Sequence, residues 1–121
     1  MSRAINICFQ TADDSTVDIE IRAPYFLLGT QQASKQFWSL PIWEKIGVEH
    51  LASLAQTDPI YFVGWEMLDQ LSGELQLFQR HIAEIEFDAD IRASWLSHLV
   101  YCHNLLIMKT PKDATPTLTI G

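Results

Sequence analysis

Apolar and polar residues follow two different rhythms along this chain. Between residues 64 and 108 the apolar positions step by three and four. Leu68, Leu71, Leu75, Phe78, Ile82 and Ile85 share one face and predict a helix over residues 64–87. Glu66, Gln70, Glu74, Gln76, Gln79 and Arg80 between them are good helix formers. Gly73 weakens the pattern by about 1 kcal/mol relative to Ala. Residues 88–108 predict a second helix of another kind. Ile91, Trp95, Leu96, Leu99, Val100, Cys102, Leu106 and Ile107 spread over half its surface, with small Ala93, Ser94 and Ser97 behind them. So wide an arc belongs to a helix packed on more than one side, so this is the expected central, most buried helix. Asp88 or Asp90 can cap its start and suits the positive end of its dipole. The short connector predicts an antiparallel helical hairpin.

Nearer the N-terminus the period is two. Ile5, Ile7 and Phe9 within residues 4–9, and Val17, Ile19 and Ile21 against Asp18, Glu20 and Arg22 within residues 16–23, predict two strands. The polar loop between them, residues 11–15 with Asp13 and Asp14, makes them an antiparallel hairpin. Its polar face implies a sheet covered on one side only. Pro24 ends the second strand. Residues 25–28 are a short apolar run closed by Gly29, open to a third strand or a buried loop. Residues 30–36 are polar and are the expected mobile stretch.

Residues 37–43 read Phe-Trp-Ser-Leu-Pro-Ile-Trp. They form either a lid over the core or an exposed aromatic patch for a partner, and the usual burial of such residues favours the core. Residues 47–56 predict a short helix with Val48, Leu51, Ala52, Leu54 and Ala55 inward. Asp58-Pro59 has the form of an N-cap and first helical position. Residues 60–63 suit either the start of the long helix or a strand stopping at Gly64. Residues 110–116 are a loop, and residues 117–120 alternate as a final edge strand. The pattern as a whole is a single α+β domain, residues 1–121. An N-terminal antiparallel β-hairpin packs on a helical layer dominated by the long antiparallel helix pair, with a short C-terminal edge strand.

Fifteen acidic and 8 basic residues give a net charge of −7. Such a chain is repelled by nucleic acid and anionic membranes and attracted to a basic partner; the same charge also serves solubility. Cys8 and Cys102 lie in apolar stretches and are expected as buried free thiols. The first residues lead into a strand pattern and not an apolar signal segment, and no apolar run approaches the roughly 20 residues of a membrane span. A reducing cytoplasm is the expected compartment.

Candidate chemistry is sparse. His98 and Cys102 stand four apart, with His103 adjacent, but no third ligand has supporting spacing. Buried histidines more often make structural hydrogen bonds, so neither a metal nor a cofactor is expected. Glu84, Glu86, Asp88 and Asp90 crowd one end of the helical pair, ordinarily a solvated acidic corner; acid–base work would need a cleft and separated pKa values. There is no G-x-S-x-G and no Gly-rich phosphate loop, so catalysis is not expected. Opposite the apolar stripe of the first long helix lie Glu66, Asp69, Gly73, Arg80 and Glu84, with Leu77 expected exposed among them.

The short acidic domain without a catalytic motif, the Trp-Glu-Met-Leu-Asp-Gln-Leu start of the first long helix at residues 65–71, and the closing Pro-Thr-Leu-Thr-Ile-Gly at residues 116–121 together point one way. The chain resembles bacterial immunity proteins, the small cytoplasmic antidotes to polymorphic or contact-dependent growth inhibition toxins. The resemblance lies in overall make-up along the whole chain, and no family residue is carried over by position. It implies a tight one-to-one complex with a toxin domain, which in many such systems is a nuclease. An acidic antidote is then steered onto a basic site, as in the barnase–barstar pair. The expected contact surface is Glu66, Asp69, Leu77 and Glu84, with Asp13 and Asp14 as a second candidate. The rival is a homo-oligomeric structural or adaptor protein using residues 38–43 as its interface. A third reading is an enzyme or metal protein built on His98, Cys102 and His103.

Overall fold

In the computed structural model, which describes residues 2–121, the two rhythms become a one-sided antiparallel sheet and a helical layer on its inner face. The N-terminal strand β1 (Ser2–Gln10) pairs antiparallel with β2 (Thr16–Ile19), Ile7 opposite Ile19 and Phe9 opposite Val17. Alternation sets which side is inward. Arg3, Ile5 and Ile7 are buried, and Asn6 and Gln10 are exposed.

β2 stops at Ile19, short of the expected residue 23. The chain turns instead, through Tyr25 N–H to the Arg22 carbonyl (2.9 Å) and Leu27 N–H to the Pro24 carbonyl (3.0 Å). These turns bring β3 (Leu27–Thr30) onto the first half of β1, with Leu27 opposite Ala4. The short apolar run before Gly29 is thus partly turn and partly strand.

The stretch expected to be mobile is a helix. Thr30 ends β3 and caps α1 (Gln31–Trp38), its side chain accepting from the Ala33 N–H at 3.1 Å. The helix buries Ser34, Phe37 and Trp38. Its polar start concealed it, because only its last turn is apolar. α2 (Ile42–Ile46) follows and ends at Gly47, whose φ of 88° suits glycine. The expected short helix over residues 47–56 is one 3₁₀ segment, Leu51–Ala55. Residues 60–63, open to either reading, are strand β4 (Ile60–Val63).

The long helix pair is present with shifted ends. α3 spans Trp65–Arg80 and α4 spans Ala89–Lys109, capped by Asp88, which accepts from the Ile91 N–H at 3.0 Å. They run antiparallel. His103, late in α4, meets Leu68 early in α3, while Gln79 and Ile82 share a surface groove with Ala93, Leu96 and Val100. α3 stops seven residues before the expected residue 87. A 3₁₀ turn (Ile82–Glu84) and an extended Ile85 replace its last turns. This break drops the Ile85 side chain into the core and turns its carbonyl toward Arg92, whose guanidinium donates to it.

The expected C-terminal edge strand exists, but it is not at an edge. β5 (Thr115–Ile120) lies between β1 and β4 in the order β2-β1-β5-β4 and pairs antiparallel with both. Leu118 stands between Ile7 and Phe62, and Ile120 between Ile5 and Ile60. These six residues floor the core. Leu68, Leu71, Leu75 and Phe78 of α3 and Trp95, Leu99, Cys102 and Leu106 of α4 join them in one buried cluster. Phe37, Trp38, Trp43, Phe78, Phe87 and Trp95 form a connected aromatic group. The Phe-Trp…Trp stretch is therefore core: Trp38 and Trp43 are 2% and 1% exposed.

Candidate functional site

The groups that chemistry could use are mostly committed to backbone. A carbonyl only accepts, so an imidazole nitrogen facing one must carry its proton. His98 donates from Nδ1 to the Leu27 carbonyl at 2.7 Å, and His103 from Nε2 to the Leu68 carbonyl at 3.0 Å. The Cys102 thiol donates to the Tyr25 carbonyl at 3.2 Å, and burial pushes its pKa up to about 12. His98 and Cys102, four apart as the sequence placed them, thus tie the first residue of β3 and the turn before it to α4. Among the described residues no group of three or more His, Cys, Asp or Glu is arranged to hold a metal ion.

Glu74 is the acid the helical pattern should have singled out. It stands on the same stripe as Leu71, Leu75 and Phe78 and is 6% exposed. Its Oε2 accepts from Glu49 N–H (3.1 Å) and His50 N–H (2.9 Å), and its Oε1 from Leu51 N–H (2.9 Å). One carboxylate therefore satisfies three amides at the start of the 3₁₀ segment, where helix-like N–H groups lack internal partners. Arg3 is its counterpart on β1. It is fully buried, donates from Nη1 to Ser34 Oγ at 2.8 Å, and lies 3.8 Å from Asp58. Desolvation lowers its pKa from the ordinary value, while Asp58 acts the other way.

The expected contact residues are spread along α3 and onto the turn that follows it. Glu66 and Asp69 are exposed on the first half of α3. Leu77 lies eleven residues beyond Glu66, about 16 Å along the axis at about 1.5 Å per residue. It is half-buried, packed on the core, with Gly47 close to its methyl group, so it is not the exposed leucine expected. Its neighbour at the end of α2 is thirty residues away, which helical spacing alone does not reveal. Glu84 is exposed but sits on the 3₁₀ turn and not on the helix face, 2.5 Å from His81 Nδ1. Asp13 and Asp14 are exposed in the β1–β2 loop. Hydrogen bonds from Thr11 and Ser15 hold the Asp13 carboxyl below the usual carboxylate range.

The surface charge is predominantly negative. Every Asp and Glu except Glu74 is exposed. Among the described residues, Arg3–Asp58 is the one ion pair between a carboxylate and an Arg or Lys, and Glu84 hydrogen-bonds the His81 ring. The other exposed carboxylates have no basic side chain within pairing distance.

Two surface features stand out beside this charge. On the open face of the sheet, Tyr61 and Val63 are 52% and 48% exposed, next to Thr119 and Thr117. The free edge of β4 is partly closed, because His50 Nε2 donates to the Tyr61 carbonyl (2.9 Å) and the Val63 N–H meets Met67 Sδ (3.4 Å). Such closure discourages pairing with another strand. The second feature is a groove of about 410 Å³ lined by Leu40, Pro41, Ile42, Lys45, Glu84 and Glu86. It joins the α1–α2 corner to the acidic turn after α3. The sequence held two clues to it: Leu-Pro-Ile between two tryptophans, and the crowding of acids from residue 84 onward.

No family model matches the chain, and no curated protein and no solved structure matches it. Among the described residues, no helix is long and apolar enough to cross a membrane.

Proposed function

We propose that this chain is an immunity protein that binds and neutralises a cognate toxin domain in the cytoplasm, and that it is a binding protein and not an enzyme. The observation that carries this reading is the unpaired surface charge. Carboxylates that no Lys or Arg pairs with leave a net negative field that attracts a basic protein and repels nucleic acid and anionic membranes. The partner the field suits is a toxin with a basic surface, a nuclease domain above all. The commitment of His98, His103 and Cys102 to backbone carbonyls supports the same reading, since it ties up the groups on which a metal or nucleophilic function would draw. The rival built on an aromatic interface is disfavoured by the burial of Trp38 and Trp43.

The test is co-expression with the product of the adjacent gene. The expected result is a one-to-one complex on co-purification and rescue of growth when that product is toxic. Absence of both binding and rescue, for the neighbouring gene products on either side, refutes the proposal. A stable dimer at low concentration would instead favour the homo-oligomeric rival.

A further inference from the structure

We propose that the groove between the α1–α2 corner and the turn after α3 docks a partner-protein segment in which an apolar side chain is flanked by a basic one. The inference rests on the reading of this chain as a protein-binding antidote, and it names where and how the partner engages.

The floor of the groove is apolar and stiff. Leu40 and Ile42 are half-buried and Pro41 is exposed. Proline has no N–H to leave unsatisfied under an apolar ligand, and its ring fixes the local backbone. Trp38 and Trp43 hold this corner from both sides. Both are core residues, and the Trp43 indole N–H donates to the Phe37 carbonyl at 2.7 Å. The site is thus preorganised, which lowers the entropic cost of binding.

The rim selects the charge of the occupant. Glu84 and Glu86 stand on one side, both exposed. Glu84 spends one oxygen on His81, leaving the other free. Lys45 of α2 lines the groove from the other element and forms no ion pair with either glutamate. An incoming cation is therefore drawn toward the glutamates and away from Lys45, which fixes the direction of the segment. Phosphate and carboxylate ligands meet two like charges. At about 410 Å³ the groove is at the small end of ligand sites, which span about 300–1,000 Å³. An apolar centre within a charged rim is the anatomy of a protein contact.

The test uses ¹⁵N-labelled full chain and three peptide probes: acetyl-Lys-Leu-Lys-amide, acetyl-Lys-Gly-Lys-amide and acetyl-Glu-Leu-Glu-amide. The Lys-Leu-Lys probe is expected to shift the amides of Leu40, Ile42, Lys45, Glu84 and Glu86 saturably. Lys-Gly-Lys should bind them more weakly, and Glu-Leu-Glu should leave them in place. The E84Q/E86Q variant should weaken the first probe roughly 2- to 30-fold, the range for losing two exposed pairs. Equal binding of the acidic probe overturns the inference. So do shifts spread evenly over Asp13, Glu66 and Asp69, or no saturable shift in the groove. A toxin that binds the wild type and E84K/E86K equally well also overturns it while leaving the proposed function intact. Saturation of the groove without any neighbouring toxin partner supports the docking inference and counts against the toxin reading alone.

Discussion

Replacing Glu74 with Gln tests the internal logic of this fold most sharply. The carboxylate accepts three backbone N–H groups, from Glu49, His50 and Leu51, and has almost no contact with solvent. Glutamine keeps one carbonyl oxygen and turns an NH₂ donor against N–H groups that can only donate. At least one hydrogen bond to a charged group is lost, worth about 1.5–3 kcal/mol, and a part-buried donor is left unsatisfied. Because these losses overlap, the expected destabilisation is about 2–4 kcal/mol, a large share of the roughly 5–15 kcal/mol that holds a domain together. For a chain of this length the melting temperature should fall by roughly 8–15 °C. Urea unfolding followed by tryptophan fluorescence should show a lower midpoint with the same slope. Hydrogen exchange at the Leu51 amide should quicken. Glu49→Gln is the control, exposed on the neighbouring residue, and should stay within about 0.5 kcal/mol of wild type. If Glu74→Gln falls within 1 kcal/mol of wild type, the triple cap is not what organises the 3₁₀ segment.

Other expectations follow from the same geometry. Gly29→Ala should cost about 2–5 kcal/mol, because Gly29 has φ of 76° and a Cβ there would lie 2.4 Å from the buried Trp95 ring. Gly73→Ala, in α3 with nothing within 4 Å, should instead stabilise by about 0.5–1 kcal/mol, and thermal melts of the pair decide both. With iodoacetamide at pH 8, Cys8 on the open sheet face should be modified first. Cys102, its thiol pKa pushed up to about 12, should be modified only after unfolding; equal rates in the native protein would contradict its burial. Asp13 has a folded pKa below its unfolded value of about 3.9. Its contribution to the hairpin is therefore complete above that value and fades as pH falls through the folded pKa. An NMR titration of the Asp13 carboxyl should show this low midpoint, and Thr11→Ala should raise it.

Local pattern carried much of this fold. The stripe from Leu68 to Phe78 set α3, the wide arc on α4 marked a helix packed on several sides, and the alternation of Ile5 and Ile7 set the inner face of β1. The same alternation places Arg3 inward, a consequence easily overlooked because arginine is seldom buried. The failures were tertiary. α1 has too little apolar surface to announce itself, and it forms because Thr30 caps it and Phe37 and Trp38 anchor its end. α3 stops early because Ile85 must reach the core and Arg92 takes its carbonyl. Leu77 packs against the core, with Gly47, thirty residues away in sequence, beside it. The groove joins residues 40–45 to residues 84–86, so no window of sequence contains it.

The place of β5 has a consequence for how the chain comes off the ribosome. β1 is made before the rest of the sheet, yet one whole side of it, from Ile5 to Gln10, waits for residues 115–120. At about 5–20 residues per second, that interval is roughly 6–20 s. Until then β1 and β4 cannot be joined, and the apolar faces of both helices lack their floor. Helices α3 and α4 can pair locally, but the sheet closes in one late, long-range step, the kind that slows folding and exposes unpaired strands. Binding competence for any surface built on this scaffold is therefore acquired abruptly and late, and a chain cut before Thr115 should yield no partly active fragment.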